Sequence, residues 1–167
     1  MKYLALVACA ALLASPLVGG DQPEGNTNPA FDRMKSLEGT WEGSGPKGMN
    51  VRVTYRVVSE GSAMLETIDH SGMEGAMVTL YHLDGDKLMM THYCSAGNQP
   101  RMRMTKSTPA SIAFAMFDVT NLASKDALYM NKLVITWADK NHMTEEWTSH
   151  AKGEDSPPHL FTLERKH

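Results

Sequence analysis

The chain has 167 residues, a length that suits one domain, and a formal net charge of −3 at pH 7. Hydrophobic residues make up 42% of the chain and charged residues 21%, which excludes a disordered polyanion and a protein of several membrane spans. A protein that binds nucleic acid needs a basic face, so the acidic balance argues against a nucleic-acid partner.

Residues 1–20 have the layout of a secretory signal peptide. A positive start at Lys2 precedes an apolar run over 3–13, and small residues at 18–20 offer a cleavage point. The apolar run is shorter than the roughly 20 residues that a membrane-spanning helix needs. We therefore predict an exported protein, periplasmic or secreted, with no transmembrane segment after cleavage. Cleavage would leave Cys94 as the one cysteine, so we expect no internal disulfide.

Residues 21–36 are predicted to form a leader and a short helix, followed by the main domain over 37–167. The leader is rich in Gly, Asn and Pro, which favour irregular structure. Phe31, Met34 and Leu37 then follow one another at helical spacing, which predicts one or two helical turns.

After this segment the hydrophobic period changes to two, which indicates β-strands. Val51, Val53 and Tyr55 alternate with polar residues, and Gly-containing turns separate the apolar stretches. Because consecutive hairpins leave two open edges unless the sheet closes, we predict an all-β, antiparallel up-and-down β-barrel of about ten strands. A β-sandwich is the alternative. The predicted strands lie near 37–45, 51–57, 64–70, 76–83, 87–94, 101–106, 112–117, 133–137, 142–150 and 159–165.

Two segments carry a resemblance to known barrels. Residues 37–45 (LEGTWEGSG) look like the opening of nitrobindin-type barrels, and they include the Gly-x-Trp pattern of lipocalins and related calycins. Residues 81–102 are similar to a stretch in exported bacterial proteins that form a lipocalin-like family of unknown function. The resemblance implies a calycin-like barrel of the bacterial envelope in which the indole of Trp41 closes one end of the core. It implies no activity.

Polar and sulfur-containing side chains on the predicted strand 87–94 are the first candidate site. His92 and Cys94 are two residues apart and share a face with Met90, so an inward face would place an imidazole and a thiol in an apolar interior. The following loop would close the mouth. The alternative is a hairpin whose polar groups satisfy one another. The candidate ligand-binding residues are Trp41, Tyr55, Tyr81, Met90, His92, Cys94, Asn98, Gln99 and Arg101.

Charged residues at two-residue spacing are the second candidate. Their pattern favours the solvated outer face of an antiparallel sheet. The alternative is inward charge that binds a carboxylate, because the guanidinium matches a carboxylate bidentately. The residues concerned are Arg52, Arg56, Arg101, Arg103, Glu66, Glu145 and Glu146.

His159 suggests a haem alternative. In nitrobindin-like barrels a histidine on the last strand is the proximal haem ligand, and His159 begins the last predicted strand at the matching position. The resemblance thus offers haem and nitric-oxide binding as an alternative function. The methionines near His92 and Cys94 are also soft ligands suited to Cu(I), although methionine commonly fills cores.

The sequence favours a binding protein over an enzyme. The chain has no nucleophile elbow, phosphate-binding loop or zinc-protease motif. We predict an exported lipocalin-like barrel that binds a small, mostly apolar ligand in its interior without a cofactor. The alternatives are the haem-binding barrel and a filled scaffold barrel that acts through protein–protein contacts.

Overall fold

The computed structural model describes residues 28–167, so the predicted signal peptide and most of the predicted leader lie outside the described residues. No helix within 28–167 is long and apolar enough to cross a membrane. Two single 3₁₀ turns, Pro46–Gly48 and Ser59–Gly61, interrupt the strands. The elements are α1 Pro29–Lys35, β1 Gly39–Ser44, β2 Asn50–Val58, β3 Ala63–His70, β4 Met77–Asp84, β5 Lys87–Tyr93, β6 Gln99–Ser107, β7 Ser111–Thr120, β8 Tyr129–Trp137, β9 His142–Ala151, β10 Glu154–Asp155 and β11 His159–Lys166.

The strands form one antiparallel sheet that closes on itself. Each strand from β1 to β9 pairs with the next one along the chain, and β11 lies between β9 and β1. These pairings close a barrel of ten strands, and the two-residue strand β10 adds to β9. The predicted up-and-down barrel with a short helical turn before it is confirmed.

Alternation of buried and exposed residues along each strand explains why these segments form the barrel. In β2 the side chains of Val51, Val53 and Tyr55 are buried, whereas those of Asn50 and Arg52 between them are exposed. Successive side chains of a strand point to opposite faces, so such a pattern gives one face to the interior and one to water. The register of the sheet is therefore set by which residues must be buried.

Helix α1 covers one end of the barrel, which we call the helix-capped end. Phe31 and Met34 of the helix are buried in the core. Trp41 lies at this end, where its Nε1 donates a hydrogen bond to the Leu37 carbonyl at 2.8 Å. The guanidinium of Arg165 lies 4.3 Å from the centre of the Trp41 ring. The indole thus helps to close this end.

Large side chains occupy the barrel interior. Aromatic residues and methionines make up most of the large side chains that are fully buried, in keeping with the use of methionine to fill irregular cores. The largest of these side chains are Trp41, Tyr55, Tyr81, Phe114, Met64, Met90 and Met102.

Candidate functional site

Two glutamates lie inside the barrel, and both are fully buried. Glu66 is on β3 and Glu145 is on β9. The Tyr55 hydroxyl donates to Glu145 Oε1 at 2.7 Å, and the Trp147 indole N–H donates to Glu145 Oε2 at 3.0 Å. The Tyr81 hydroxyl donates to Glu66 Oε2 at 3.1 Å. Aromatic donors therefore hold both carboxyl groups in an otherwise apolar interior.

The two carboxyl groups do not lose their protons together. Desolvation by burial raises the pKa of both, and the negative charge of Glu66 helps to raise the pKa of Glu145 to about 8. The hydrogen bond between them raises the pKa of Glu145 and lowers that of Glu66, as expected if Glu145 is the donor. Oε1 of Glu66 accepts from no hydroxyl or N–H group of residues 28–167, so it is the oxygen open to this proton. Glu66 is therefore the first of the two to ionise, and a singly charged pair carries its charge on Glu66.

Thr79 connects this pair to His92. Thr79 on β4 and His92 on β5 are cross-strand partners, and both are buried. The Thr79 hydroxyl oxygen lies 2.9 Å from Nδ1 of His92, and the same hydroxyl lowers the pKa of Glu66 through a hydrogen bond. Burial lowers the pKa of His92 to about 4, so its ring is neutral at pH 7. Nε2 of the ring is buried and has no hydrogen-bond partner within residues 28–167.

His92 also lines a pocket of about 140 Å³ at the end of the barrel opposite α1. The walls of this pocket are mostly apolar and include Met77, Met130, Phe161 and Trp147. The centre of the His92 ring lies 4.6 Å from that of Trp147. One buried imidazole nitrogen without a partner is thus set among aromatic and thioether side chains, an arrangement that can orient a small molecule.

The structure places five of the predicted ligand-binding residues in the core of the barrel, and four of them lie at or near the pocket and the carboxyl pair. His92 lines the pocket, and Tyr55 and Tyr81 hold the carboxyl pair behind it. Met90 is fully buried on the same inward face of β5 as His92, as predicted. Trp41 lies at the helix-capped end and is not brought together with them.

Cys94 and Asn98 shape the loop between β5 and β6. The Cys94 amide donates to the Asn98 carbonyl at 3.1 Å, and Asn98 Nδ2 donates to the Leu128 carbonyl at 2.7 Å. Both side chains are buried, and Cys94 is a free cysteine. Neither side chain lines the pocket, although the loop between them does so through Ser95.

Gln99 and Arg101 lie away from the pocket, whereas the sequence had placed them at its mouth. β6 begins at Gln99, two residues before the predicted start, and Pro100 and Met102 take the buried positions. The side chain of Arg101 therefore lies on the outer surface, where it forms an ion pair with Asp118. Gln99 Oε1 accepts a hydrogen bond from the Thr120 hydroxyl at 2.9 Å.

The expectation that the strand charges lie on the outer face is right for the arginines and wrong for two glutamates. Arg52 is exposed and forms an ion pair of 2.6 Å with Glu42, whereas Glu66 and Glu145 point inward. The sequence does carry a signal for this difference, because each inward glutamate has apolar or aromatic residues two positions before and after it. These neighbours are Met64 and Ile68 for the first, and Met143 and Trp147 for the second.

The residues of the site also bear on the metal and haem alternatives. Within residues 28–167, no group of three or more His, Cys, Asp or Glu side chains could hold a metal ion. His159 lies at the rim of the pocket as the first residue of β11. Drug-sized ligands occupy pockets of about 300–1,000 Å³, and a haem is not smaller than these ligands. The residues around the pocket of about 140 Å³ therefore do not fit the macrocycle.

Comparison with known proteins assigns the chain to no family. No protein-family model matches the chain, and no curated protein matches it. The lipocalin-like assignment from residues 37–45 and 81–102 stays a prediction.

Proposed function

We propose that the protein binds one small, mostly apolar ligand in the pocket lined by His92. The supporting observation is His92, whose side chain lines this space and whose buried Nε2 has no partner within residues 28–167. A buried polar atom that lacks a hydrogen bond costs about 1–3 kcal/mol. A ligand that binds this nitrogen would recover that cost while its apolar part packs against the walls.

The volume of the pocket limits the size of the ligand. A cavity of about 150 Å³ in another protein holds one benzene molecule. The pocket here has about 140 Å³, so it suits a ligand of one ring and excludes a long-chain lipid that remains wholly inside. The proposed ligand is therefore smaller than a fatty acid.

We also propose that this binding takes place outside the cytoplasm. The support is the positively charged and apolar layout of residues 1–20, which is typical of a signal peptide.

Ligand-induced stabilisation tests the binding proposal. The wild-type protein is heated with single-ring compounds, and at ten times the dissociation constant we expect a stabilisation of about 1.4 kcal/mol, or about 3–5 °C in Tm. Ser95→Trp should abolish the shift, because Ser95 is an exposed residue that lines the pocket.

Ala96→Trp is the matched control, because Ala96 is the next exposed residue of the same loop and does not line the pocket. We expect this variant to keep the wild-type shift. The proposal fails if no single-ring compound raises the Tm of the wild type, or if Ser95→Trp responds as the wild type does. The first result would favour the alternative of a filled scaffold barrel.

A further inference from the structure

We propose that the ligand is a single-ring hydrogen-bond donor of the phenol or azole class, whose O–H or N–H donates to Nε2 of His92. This inference rests on the proposed function and names the ligand class of the same pocket. The class follows from three features of the site: the tautomer of His92, the placement of charge and the composition of the walls.

The hydrogen bonds behind His92 make Nε2 an acceptor. The Thr79 hydroxyl has one proton, and both the Glu66 carboxylate and Nδ1 of His92 compete for it. Glu66 is the first carboxyl of the pair to ionise, and hydrogen bonds to an ionised acceptor are about twice as strong as those between neutral groups. The hydroxyl proton therefore goes to the Glu66 carboxylate. Nδ1 of His92 must then carry its own proton and donate it to Thr79. A neutral ring with a proton on Nδ1 has only a lone pair on Nε2.

The placement of charge disfavours an anionic ligand. A carboxylate would bring its own lone pairs against that of Nε2, and its negative charge would be repelled by an ionised Glu66. Within residues 28–167 no arginine side chain lines the pocket, since Arg52 and Arg101 form ion pairs on the outer surface. The alternative of carboxylate recognition through arginine therefore has no support in this pocket.

The walls favour an aromatic ring. Trp147 and Phe161 offer ring faces and edges, which pack well against another ring in tilted or offset arrangements. The thioethers of Met77 and Met130 line the same space, and sulfur makes favourable contacts with aromatic rings. A flat ring with one donor group would pack against the walls and donate a hydrogen bond to Nε2.

Calorimetric titrations with phenol, toluene and benzoate test this inference, because the three probes share one ring and differ in the group attached to it. The full chain is titrated at neutral pH, and the quantity compared is the ratio of the phenol to the toluene affinity. We expect His92→Leu to lower this ratio roughly 10-fold, because it removes the acceptor. Benzoate should bind more weakly than phenol to the wild type.

His82→Leu is the control, because His82 is on the outer face of β4 and its Nδ1 lies beside the Leu83 carbonyl. We expect this variant to keep the wild-type ratio. If phenol and toluene both bind and His92→Leu leaves their ratio unchanged, the donor inference is overturned and the proposed function stands. Tightest binding by benzoate would overturn the inference in the same way, whereas binding of none of the three rings would overturn the proposed function itself.

A second measurement does not depend on a variant. Nitrogen NMR of the wild type reports which ring nitrogen of His92 carries the proton. A proton on Nδ1 supports the inference, and a proton on Nε2 overturns it.

Discussion

The side chain of Glu145 has both a destabilising and a stabilising effect on the barrel interior. Its burial raises its pKa, yet its two oxygens accept hydrogen bonds from Tyr55 and Trp147. In the protonated form it also donates to Glu66, so every polar atom of the group is used. This arrangement predicts that the stability of the protein depends more on the shape and polarity of residue 145 than on its charge.

Replacement of Glu145 tests this view. Glu145→Ala should lower the free energy of unfolding by about 3–5 kcal/mol, because it opens a cavity and leaves two buried donors without an acceptor. Glu145→Gln should cost only about 1 kcal/mol near pH 6, because an amide imitates the protonated acid. Urea denaturation of both variants measures the difference, and equal losses would contradict the assignment of the proton to Glu145.

Sequence reasoning at this scale succeeded for His92 and failed for the glutamates. The alternation along β5 placed His92 and Met90 on one face, and that face does point inward. A glutamate on the same kind of face looks like a surface residue until its partners are known. Glu145 is bonded to Tyr55, which is 90 positions away in the sequence, so the carboxyl pair becomes visible only when the barrel is closed.

At the scale of elements, Gly43 shows why one strand needs a residue without a side chain. A Cβ added at this position of β1 would overlap the backbone carbonyl of Thr162 on β11. The obstacle is main chain and not a flexible side chain, so the two strands would have to separate locally.

Gly43→Ala should therefore lower the free energy of unfolding by about 1–3 kcal/mol, as overpacking does elsewhere. Ser44→Ala is the control in the same strand, because Ser44 is exposed, and its effect should stay within about 0.5 kcal/mol. Thermal denaturation compares the two variants. Similar Tm values for both would show that β11 can move away from Gly43 at little cost.

The centres of the strands could be predicted from the sequence, whereas their ends could not. The predicted segment 133–137 lies within β8, yet the strand begins at Tyr129. The extra residues are polar or only partly buried and lack the alternation that marks a strand. They are extended because they pair with β9, where Tyr129 faces His150. Pairing between distant segments thus sets ends that local composition does not show.

At the scale of the whole molecule, the buried carboxyl pair and His92 make stability depend on pH. Glu145 has a pKa of about 8 in the folded protein and an ordinary value of 4.5, so between these values the folded state holds an extra proton. Its contribution is full below about pH 4.5 and is lost as the pH rises through 8. His92, whose pKa falls from 6.5 to about 4, acts in the opposite direction between those two values. The two effects oppose each other up to about pH 6.5, and above that pH the glutamate effect remains.

We therefore expect the free energy of unfolding to fall by roughly 1 kcal/mol per pH unit between about pH 6.5 and 8. Urea denaturation at several pH values in this range measures the slope. Glu145→Gln should flatten it, because the amide does not titrate. An equally steep fall in this variant would assign the slope to other groups.

The fold as a whole was more predictable than its site. Almost every strand of a closed sheet has one face toward solvent and one face toward the interior. A hydrophobic period of two therefore recurs along the chain and marks each strand. The content of the interior depends on which strands meet across it. His92, Thr79, Glu66 and Glu145 lie on four different strands, and no local pattern joins them.

The position of β11 between β9 and β1 has a consequence for how the protein is made. β1 cannot pair with β11, one of its two neighbours in the sheet, until His159–Lys166 has been synthesised and released from the ribosome. Until then β1 and β9 each expose a row of unsatisfied backbone groups, the feature through which nascent chains associate. A chaperone that shields these two edges would keep the incomplete sheet from pairing with another copy.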